Sequence, residues 1–198
     1  RDLSVGKREI CLLARERSVC WLVRERGIEM SYTLDQFADD CREALQADPG
    51  DNGLEKVRQA VSKACNDEDF ISQHLGPEND EPRKILYEDP NLRFCILAHV
   101  YTGERGSPPH DHGPSWAVYG QAAGKTEMTD WKCLKKPTSD EPGLVEKVKT
   151  YTLEPGMAYA YKIGDLHSPY RKDTTKLIRV EGINMDNVTR DTYMVAPD

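Results

Sequence analysis

Residues 103–124 read GERGSPPHDHGPSWAVYGQAAG, and residues 156–167 read GMAYAYKIGDLH. The first stretch contains His110 and His112, separated by a single aspartate, and the second ends at His167. Because residues i and i+2 of an extended strand point to the same face, His110 and His112 would present two imidazoles side by side. Such a pair suits a metal ion, provided that a third ligand comes from another strand. The pair alone is also compatible with two histidines that cap a loop or form hydrogen bonds in a core.

The chain around these histidines has the pattern of a β protein. From Arg83 onward, β-prone apolar segments are separated by clusters of glycine, proline and aspartate, at a spacing typical of an all-β sandwich or barrel. No alternation of strands with helices points to a parallel sheet. The seven predicted strands are Arg93–Tyr101, Trp116–Ala122, Lys125–Leu134, Val145–Leu153, Met157–Ile163, Lys176–Ile183 and Thr192–Val195.

The preceding residues 30–82 have a helical pattern instead. Thr33 and Gln36 form a capping-box pattern ahead of apolar residues at helical spacing. Two further helices follow, and Asp67 is the predicted cap of the second of these. The sequence thus predicts a helical segment at 30–82 and a β-barrel at 83–198.

The first 29 residues differ from the rest, because they show neither a capping signal nor a clear apolar period. Met30 is followed by a stretch that reads like a natural start. Residues 1–29 are therefore interpreted either as an extension upstream of a true start at Met30 or as an additional helix around residues 7–26. Neither interpretation gives this segment a function.

The composition excludes several classes of function. The chain has 27 Lys and Arg against 34 Asp and Glu, a formal net charge of −7, which disfavours binding to nucleic acid or to anionic membranes. No apolar run approaches the roughly 20 residues that cross a bilayer. The six cysteines form no CxxC pair, as expected of reduced thiols in a cytoplasmic protein. Neither a GxSxG nor a GxxxxGKS/T motif is present, so serine-hydrolase and phosphate-loop chemistry are not predicted.

The spacing of glycines and histidines resembles the two sequence motifs of the cupin superfamily. In the second motif a glycine lies three residues before the metal-binding histidine, as Gly164 does before His167. The resemblance covers residues 83–195 and implies a mainly β fold, the cupin double-stranded β-helix or jelly-roll barrel, with the N-terminal helical segment in front of it. It also implies that His110, His112 and His167 bind a metal ion. The matching residues are Gly103, His110, His112, Gly120 and Gly124 in the first motif and Gly156, Gly164 and His167 in the second.

One ligand that cupins usually carry is missing. The glutamate of the first motif falls at Ala117, which leaves three neutral imidazoles. A divalent ion held by them keeps its full double charge, whereas a carboxylate ligand would neutralise one unit of it. The higher charge favours an anionic substrate in the open coordination positions. The second motif also departs from the pattern, with Lys162 in place of its proline and Arg171 in place of its final asparagine.

A cupin of this size with three histidine ligands resembles the thiol dioxygenases, and the bacterial 3-mercaptopropionate dioxygenase branch more than animal cysteine dioxygenase. The resemblance implies non-haem Fe(II), O₂ as co-substrate, and an arginine shortly before an Asp-Pro turn that holds the substrate carboxylate. Arg83 is the matching position, with Lys84 as second choice and a surface role as the alternative. Ala117 stands where the animal enzymes carry a cysteine crosslinked to tyrosine, so that crosslink is excluded. The resemblance rests on Arg83–Pro90, Arg93-Phe94, Pro108–His112 and Trp116.

The predicted strand Lys176–Ile183 departs from that family. Thiol dioxygenases have a Ser-x-His-x-Tyr series here, with the tyrosine hydroxyl near the iron, whereas this chain has Leu177, Arg179 and Glu181. The hydrogen-bonded relay of the family is therefore absent. We predict that Glu181 lies in the pocket as a catalytic base or an occasional metal ligand, and Arg179 as a substrate-binding residue, unless the two form a structural pair.

Strand parity supplies the other candidate residues. If Ala117 faces the metal, Tyr119 and Gln121 share its face, while Tyr159 and Tyr161 share a face on a later strand. Tyr119 is a predicted catalytic residue that would handle protons or position oxygen. Gln121, Tyr159 and Tyr161 are predicted to orient the substrate, and the alternative for each is a half-buried barrel residue.

The leading hypothesis is a mononuclear Fe(II) enzyme, a non-haem dioxygenase that oxidises a small anionic substrate with O₂ and binds neither nucleic acid nor a membrane. Nickel, manganese, copper and zinc are alternative metals, because ligand type alone does not select among them. A second hypothesis is an O₂-independent metal-dependent isomerase or lyase, with Glu181 as its general base. A third is a non-catalytic cupin that binds a small molecule in the same pocket.

Overall fold

The computed structural model describes residues 31–197. The predicted extension at 1–29, with the alternative helix at 7–26, lies outside the described residues. Three helices come first in the described part, namely α1 Leu34–Ala47, α2 Asp51–Asn66 and α3 Glu68–Leu75. The strands that follow are β1 Lys84–Glu88, β2 Cys95–Tyr101, β3 Arg105–Gly106, β4 Ala117–Ala123, β5 Thr126–Lys135, β6 Gly143–Leu153, β7 Ala158–Tyr161, β8 Leu166–Arg171, β9 Thr175–Glu181 and β10 Tyr193–Val195.

The helix starts follow the predicted capping chemistry. Gln36 N–H donates to Thr33 Oγ1 at 3.2 Å, and Thr33 N–H donates to Gln36 Oε1 at 3.0 Å, so both halves of the capping box are formed at the start of α1. Phe70 N–H donates to the carboxylate of Asp67 at 2.8 Å at the start of α3. These bonds satisfy backbone groups that the helices themselves leave without partners.

The strands form two five-stranded sheets that face each other as a jelly roll. One sheet has the order β1-β2-β9-β4-β7, and the other has the order β10-β6-β5-β8-β3. The chain crosses repeatedly between them, because β4, β7 and β9 lie in the first sheet while β5, β6 and β8 lie in the second. The predicted fold class, a mainly β jelly-roll barrel with helices N-terminal to the strands, is confirmed.

All seven predicted strands are present, with ends that differ by at most two residues from the prediction. Three further strands, β1, β3 and β8, were not predicted. The sequence of β8 is polar and contains Pro169, which lacks the N–H that a strand interior uses and therefore favoured a loop. The missed strand β8 carries His167.

The first sheet is buried on both faces. On β9, Ile178 and Val180 pack against the helices, whereas the alternate residues Arg179 and Glu181 point into the barrel. The same alternation holds on β4. One face thus completes the core shared with α1, α2 and α3, and the other face is free to carry polar side chains inside the barrel.

Close packing of α2 on β4 explains one glycine of the first motif. A Cβ atom on Gly120 would approach Val61 Cγ1 to 2.4 Å and Cys65 Sγ to 2.7 Å, so a side chain would push the helix off the sheet. Across residues 31–197, no helix is both long and apolar enough to cross a membrane.

Candidate metal centre and the adjoining cavity

The structure brings together the three predicted ligands from two distant parts of the chain. His110 and His112 lie in the loop between β3 and β4, and His167 lies on β8. His110 N–H donates to His167 O at 3.0 Å, and His167 N–H donates to His110 O at 2.9 Å. One nitrogen of each imidazole lies within 4.8 Å of the other two. His110 and His112 lie in a loop and not on the extended strand expected from the sequence. The backbone bridge to β8 nevertheless holds His110 in place.

Backbone carbonyl groups decide which nitrogen of two imidazoles faces the centre. Nδ1 of His110 lies 2.9 Å from Pro108 O, and Nδ1 of His167 lies 3.2 Å from Asp165 O. A carbonyl oxygen only accepts, so each Nδ1 carries the proton and each Nε2 keeps a lone pair. This is the usual orientation of imidazoles that bind a metal through Nε2.

The third imidazole completes a donor set that fits a metal ion. Nε2 of His112 lies 3.3 Å from Nε2 of His167, while Nδ1 of His112 is buried without a partner among residues 31–197. Lone pairs that converge at this distance repel unless a proton or a cation lies between them. Three converging imidazole nitrogens with no carboxylate are a good match for a divalent transition metal.

A tight turn places His167. Asp165 N–H donates to Lys162 O at 3.0 Å, and Lys162 N–H donates to the Asp165 carboxylate at 2.7 Å. Gly164 has a φ of +83°, in the left-handed region that favours glycine. The glycine three residues before the histidine therefore has a backbone role in directing β8 towards the centre.

Burial keeps the three imidazoles in the neutral form that a metal needs. Burial, together with the charge of a protonated His110, lowers the pKa of His167 to about 3. Burial also lowers the pKa of His110, and it lowers that of His112 much more. No proton has to leave these rings near neutral pH before a metal ion binds.

The same pKa values predict acid sensitivity of the metal-free protein. An unfolded chain has imidazole pKa values near about 6.5, so below that pH it binds protons that the folded protein excludes. The free energy of unfolding should therefore be highest above about pH 6.5 and fall as the pH approaches about 3, the pKa of folded His167. Urea unfolding midpoints at several pH values check this, with His167→Gln as control. The variant should lose less stability than the wild type over that interval, and equal losses would contradict the prediction.

A chain of polar contacts links the centre to the interior of the barrel. The hydroxyl of Tyr119 lies 3.1 Å from His112 Nε2, and Arg179 Nη1 donates to that hydroxyl at 3.2 Å. Arg179 Nη2 lies 2.8 Å from one oxygen of Glu181, and Arg83 Nη2 lies 2.6 Å from the other. Tyr119 and Glu181, the two predicted catalytic residues, therefore belong to one connected network.

Glu181 is fully buried inside the barrel, and its carboxylate lies between two guanidinium groups. Within the described part of the chain, the group of side chains that could hold a metal contains only the three histidines. Of the three fates that the sequence left open, the structure shows ion pairing with Arg179, extended by Arg83. The predicted role of Glu181 as a base stays a prediction.

Arg83 contacts carboxylates that belong to the protein itself. In addition to Glu181, its guanidinium bonds the Asp186 carboxylate at 2.7 Å and Asn184 Oδ1 at 3.3 Å. These contacts occupy the fork that the resemblance assigned to the substrate carboxylate. Arg83 lines the cavity beside His112, but its donors are already engaged, and its role as a clamp stays a prediction.

A basic cavity of about 290 Å³ opens beside His112. Four arginines line it together with the carboxylate of Asp186, although the whole chain is acidic. Asp186 and the buried Glu181 balance two of the four positive charges, so an excess of positive charge remains. Such a concentration of positive charge attracts and holds an anion. The four arginines are Arg83, Arg105, Arg179 and Arg190.

Gln121 does not line this cavity, although it shares a strand face with Tyr119. Its side chain is fully buried, donates to Ala123 O at 2.7 Å and accepts from Thr126 Oγ1 at 2.8 Å. These hydrogen bonds engage the side-chain amide of Gln121 within the barrel wall. Strand parity gives the face of a residue correctly but not its depth along the barrel.

Tyr159 and Tyr161 lie on another side of the centre. Tyr161 stacks on the His167 ring with centroids 3.8 Å apart, and its hydroxyl lies 2.5 Å from that of Tyr151. Both Tyr159 and Tyr161 line a separate cavity of about 180 Å³. In this structure they are therefore separated from the basic cavity in which the predicted substrate would bind.

Several lining residues were not predicted. His99 and Tyr101 alternate on β2 with apolar residues that face the helices, a pattern that could have assigned them to the barrel interior. Arg105 lies on the two-residue strand β3 and Arg190 in a loop, where the sequence has no periodic signal.

The chain matches no protein-family model, and no curated protein matches its sequence. Among solved structures it is similar to KdgF from Halomonas sp., at 15% identity and a TM-score of 0.39 over 50% of this chain and 74% of that one. A cupin superfamily protein from Desulfitobacterium hafniense DCB-2 gives 13% identity and a TM-score of 0.38 over 52% and 76%. A cupin-2 domain protein from Shewanella frigidimarina NCIMB 400 gives 16% and 0.36 over 50% and 76%.

Proposed function

We propose that this protein is a metal-dependent dioxygenase that binds Fe(II) through His110, His112 and His167 and oxidises a small anionic substrate with O₂. The observation that carries the proposal is the donor set of three imidazoles, without a carboxylate, beside a cavity with four arginines. His112 and His167 are buried, and His110 is half-buried. A metal ion held by neutral ligands keeps its full charge and favours an anionic partner.

The metal, when bound, would supply the chemistry of bringing the substrate and O₂ together and of lowering the pKa of a coordinating substrate group. The protein's own residues would do the rest. The basic lining draws the anion into the cavity that His112 also lines. The apolar and aromatic side chains packed behind the centre, among them Ala117 and Leu177, exclude water from that side.

Tyr119 is the proposed proton-handling residue. Its hydroxyl lies 3.1 Å from His112 Nε2 and accepts a hydrogen bond from Arg179. Once a metal ion binds that nitrogen, the hydroxyl proton would no longer have His112 as its acceptor and could be donated to a reacting group beside the metal. In the thiol dioxygenases the phenol near the iron comes from the position of Glu181. In this chain a phenol from the neighbouring strand β4 would take that role.

Glu181 is better placed to position other groups than to act as a base. Its two oxygens face Arg83 and Arg179, and removing a carboxylate from between two buried guanidinium groups would leave their charge uncompensated. This arrangement weighs against the O₂-independent isomerase or lyase, which needs Glu181 as a free general base.

Oxygen uptake by anaerobically Fe(II)-loaded protein tests the proposal. We expect uptake with at least one member of a panel of thiol carboxylates, hydroxy acids and β-diketones, and none in the His167→Ala protein under the same loading. A protein that binds one Fe(II) per chain but consumes no oxygen with any of them would contradict the dioxygenase assignment. Anaerobic conversion of a hydroxy acid would support the isomerase or lyase instead.

A further inference from the structure

Arg171 is a buried arginine without an acidic partner. Only 4% of the residue is exposed, its Nε atom has no hydrogen-bond partner, and it forms no ion pair with a carboxylate anywhere in residues 31–197. Burial lowers the pKa of its guanidinium, nearby Arg179 and Arg105 lower it further, and Tyr101 and Tyr119 oppose this effect. A buried charge without a counterion is costly, so the arrangement calls for an anion from outside the described chain.

A second arginine lies directly across the sheet. Arg105 on β3 is the cross-strand partner of Arg171 on β8, and like charges in that position repel each other. Both guanidinium groups lie over the ring of Tyr101, at 5.0 Å for Arg105 and 4.5 Å for Arg171. The ring offers each guanidinium a cation–π contact, but it has no net negative charge that would cancel the repulsion.

This arginine pair adjoins the basic cavity. Tyr101 and Arg105 line that cavity together with His112 of the metal centre. Arg171 is not itself a lining residue, but its guanidinium lies over the ring of Tyr101. The guanidinium group of one arginine binds a carboxylate through two parallel hydrogen bonds. Two neighbouring arginines therefore suit a carboxylate ligand. The small volume, about 290 Å³, suits a compound with few carbon atoms.

We propose that Arg105 and Arg171 form an anion subsite for a carboxylate at the far end of the substrate, so that the substrate carries two anionic groups on a short carbon chain. One group would lie at the three histidines and the other at the arginine pair. This inference rests on the proposed function, because it describes a substrate for the same cavity. It also assigns specificity to a position where the second motif would have asparagine.

Binding of succinate and butyrate tests this inference directly. Both have four carbons, but only succinate has a second carboxylate, and zinc-loaded protein avoids oxidation during calorimetric titration. We expect succinate to bind at least about tenfold more tightly than butyrate. Arg171→Met and Arg105→Ala should each weaken the binding of succinate by about tenfold to a hundredfold. Lys172→Gln removes one positive charge from the exposed neighbour of Arg171. The affinity of this variant for succinate should stay within about twofold of that of the wild type.

The melting temperature of the metal-free protein separates a binding role from a structural one. Because Arg171 is a buried charge without a partner, Arg171→Met should keep or raise the melting temperature, whereas it should lower it if the arginine supports the fold. Equal affinity for succinate and butyrate, or succinate binding within about twofold of wild type in both arginine variants, would overturn the inference. Tighter binding of inorganic phosphate than of succinate would overturn the choice of carboxylate.

Failure of the proposed function has a different signature. If the protein binds no zinc, the metal centre is wrong, yet succinate titration of the metal-free protein still reports on the arginine pair. If zinc binds at one per chain and the arginine variants leave succinate binding unchanged, the metal centre stands and the subsite is wrong.

Discussion

The His167→Ala protein is expected to be purified almost free of metal and without oxygen-dependent activity, and His110→Ala and His112→Ala should behave in the same way. A structural zinc site of four ligands is worth about 10–16 kcal/mol, or about 3 kcal/mol per ligand if the ligands contribute equally. Loss of one imidazole from a set of three should therefore weaken metal binding by at least about a hundredfold. Metal content by mass spectrometry of the purified proteins checks this.

His74 provides the matched control for that series. It is the last-turn histidine of α3, it is also buried, and burial also lowers the pKa of its imidazole. It does not belong to the group that could hold a metal. His74→Ala should therefore keep its metal even if the fold loses stability, whereas full occupancy in His167→Ala would contradict the assignment of the ligands.

The Tyr119→Phe protein is expected to bind metal normally and to lose turnover by about 10²–10⁴-fold, the range typical of a group that transfers a proton in the transition state. The change keeps the ring that packs inside the barrel and removes only the hydroxyl between His112 and Arg179. A fall in kcat with little change in KM would indicate that the hydroxyl acts in the transition state and not in substrate binding.

Tyr151→Phe is the control for the loss of a phenol hydroxyl. Its hydroxyl bonds to Tyr161 and Asp130, on the side of the barrel away from the basic cavity. Turnover in this variant should stay within a few-fold of the wild type. A Tyr119→Phe enzyme that is as active as Tyr151→Phe would remove Tyr119 from the proposed mechanism.

The convergence of the three histidines was predictable because they follow the spacing of a known pair of sequence motifs. Gly164 lies in the turn that leads into β8 and His167, and it has the positive φ that the turn requires. The prediction needed no knowledge of side-chain packing, because the backbone of the jelly roll brings His167 to His110. Local rules likewise gave the capping box of α1 and the faces of β4 and β9.

The interior of the cavity was less predictable, because it depends on how side chains from distant strands choose partners. The sequence placed Glu181 on the inner face but left open whether Arg179 pairs with it, and nothing local indicated that Arg83 would bond the same carboxylate. Gln121 has the parity of Tyr119 but bonds within the wall. Arg171 was visible only as a departure from the second motif, and its meaning came from its burial without a partner.

X-ray absorption fine structure of the zinc-loaded protein tests the central claim most directly, because it reports the ligands of the bound ion itself. The predicted spectrum contains three imidazole nitrogens at about 2.0–2.1 Å with the outer-shell scattering of the rings, and water or substrate in the open positions. His167→Ala should reduce the imidazole number or abolish binding. A sulfur shell at about 2.3 Å, or fewer than two imidazoles in the wild type, would contradict a metal centre built from His110, His112 and His167.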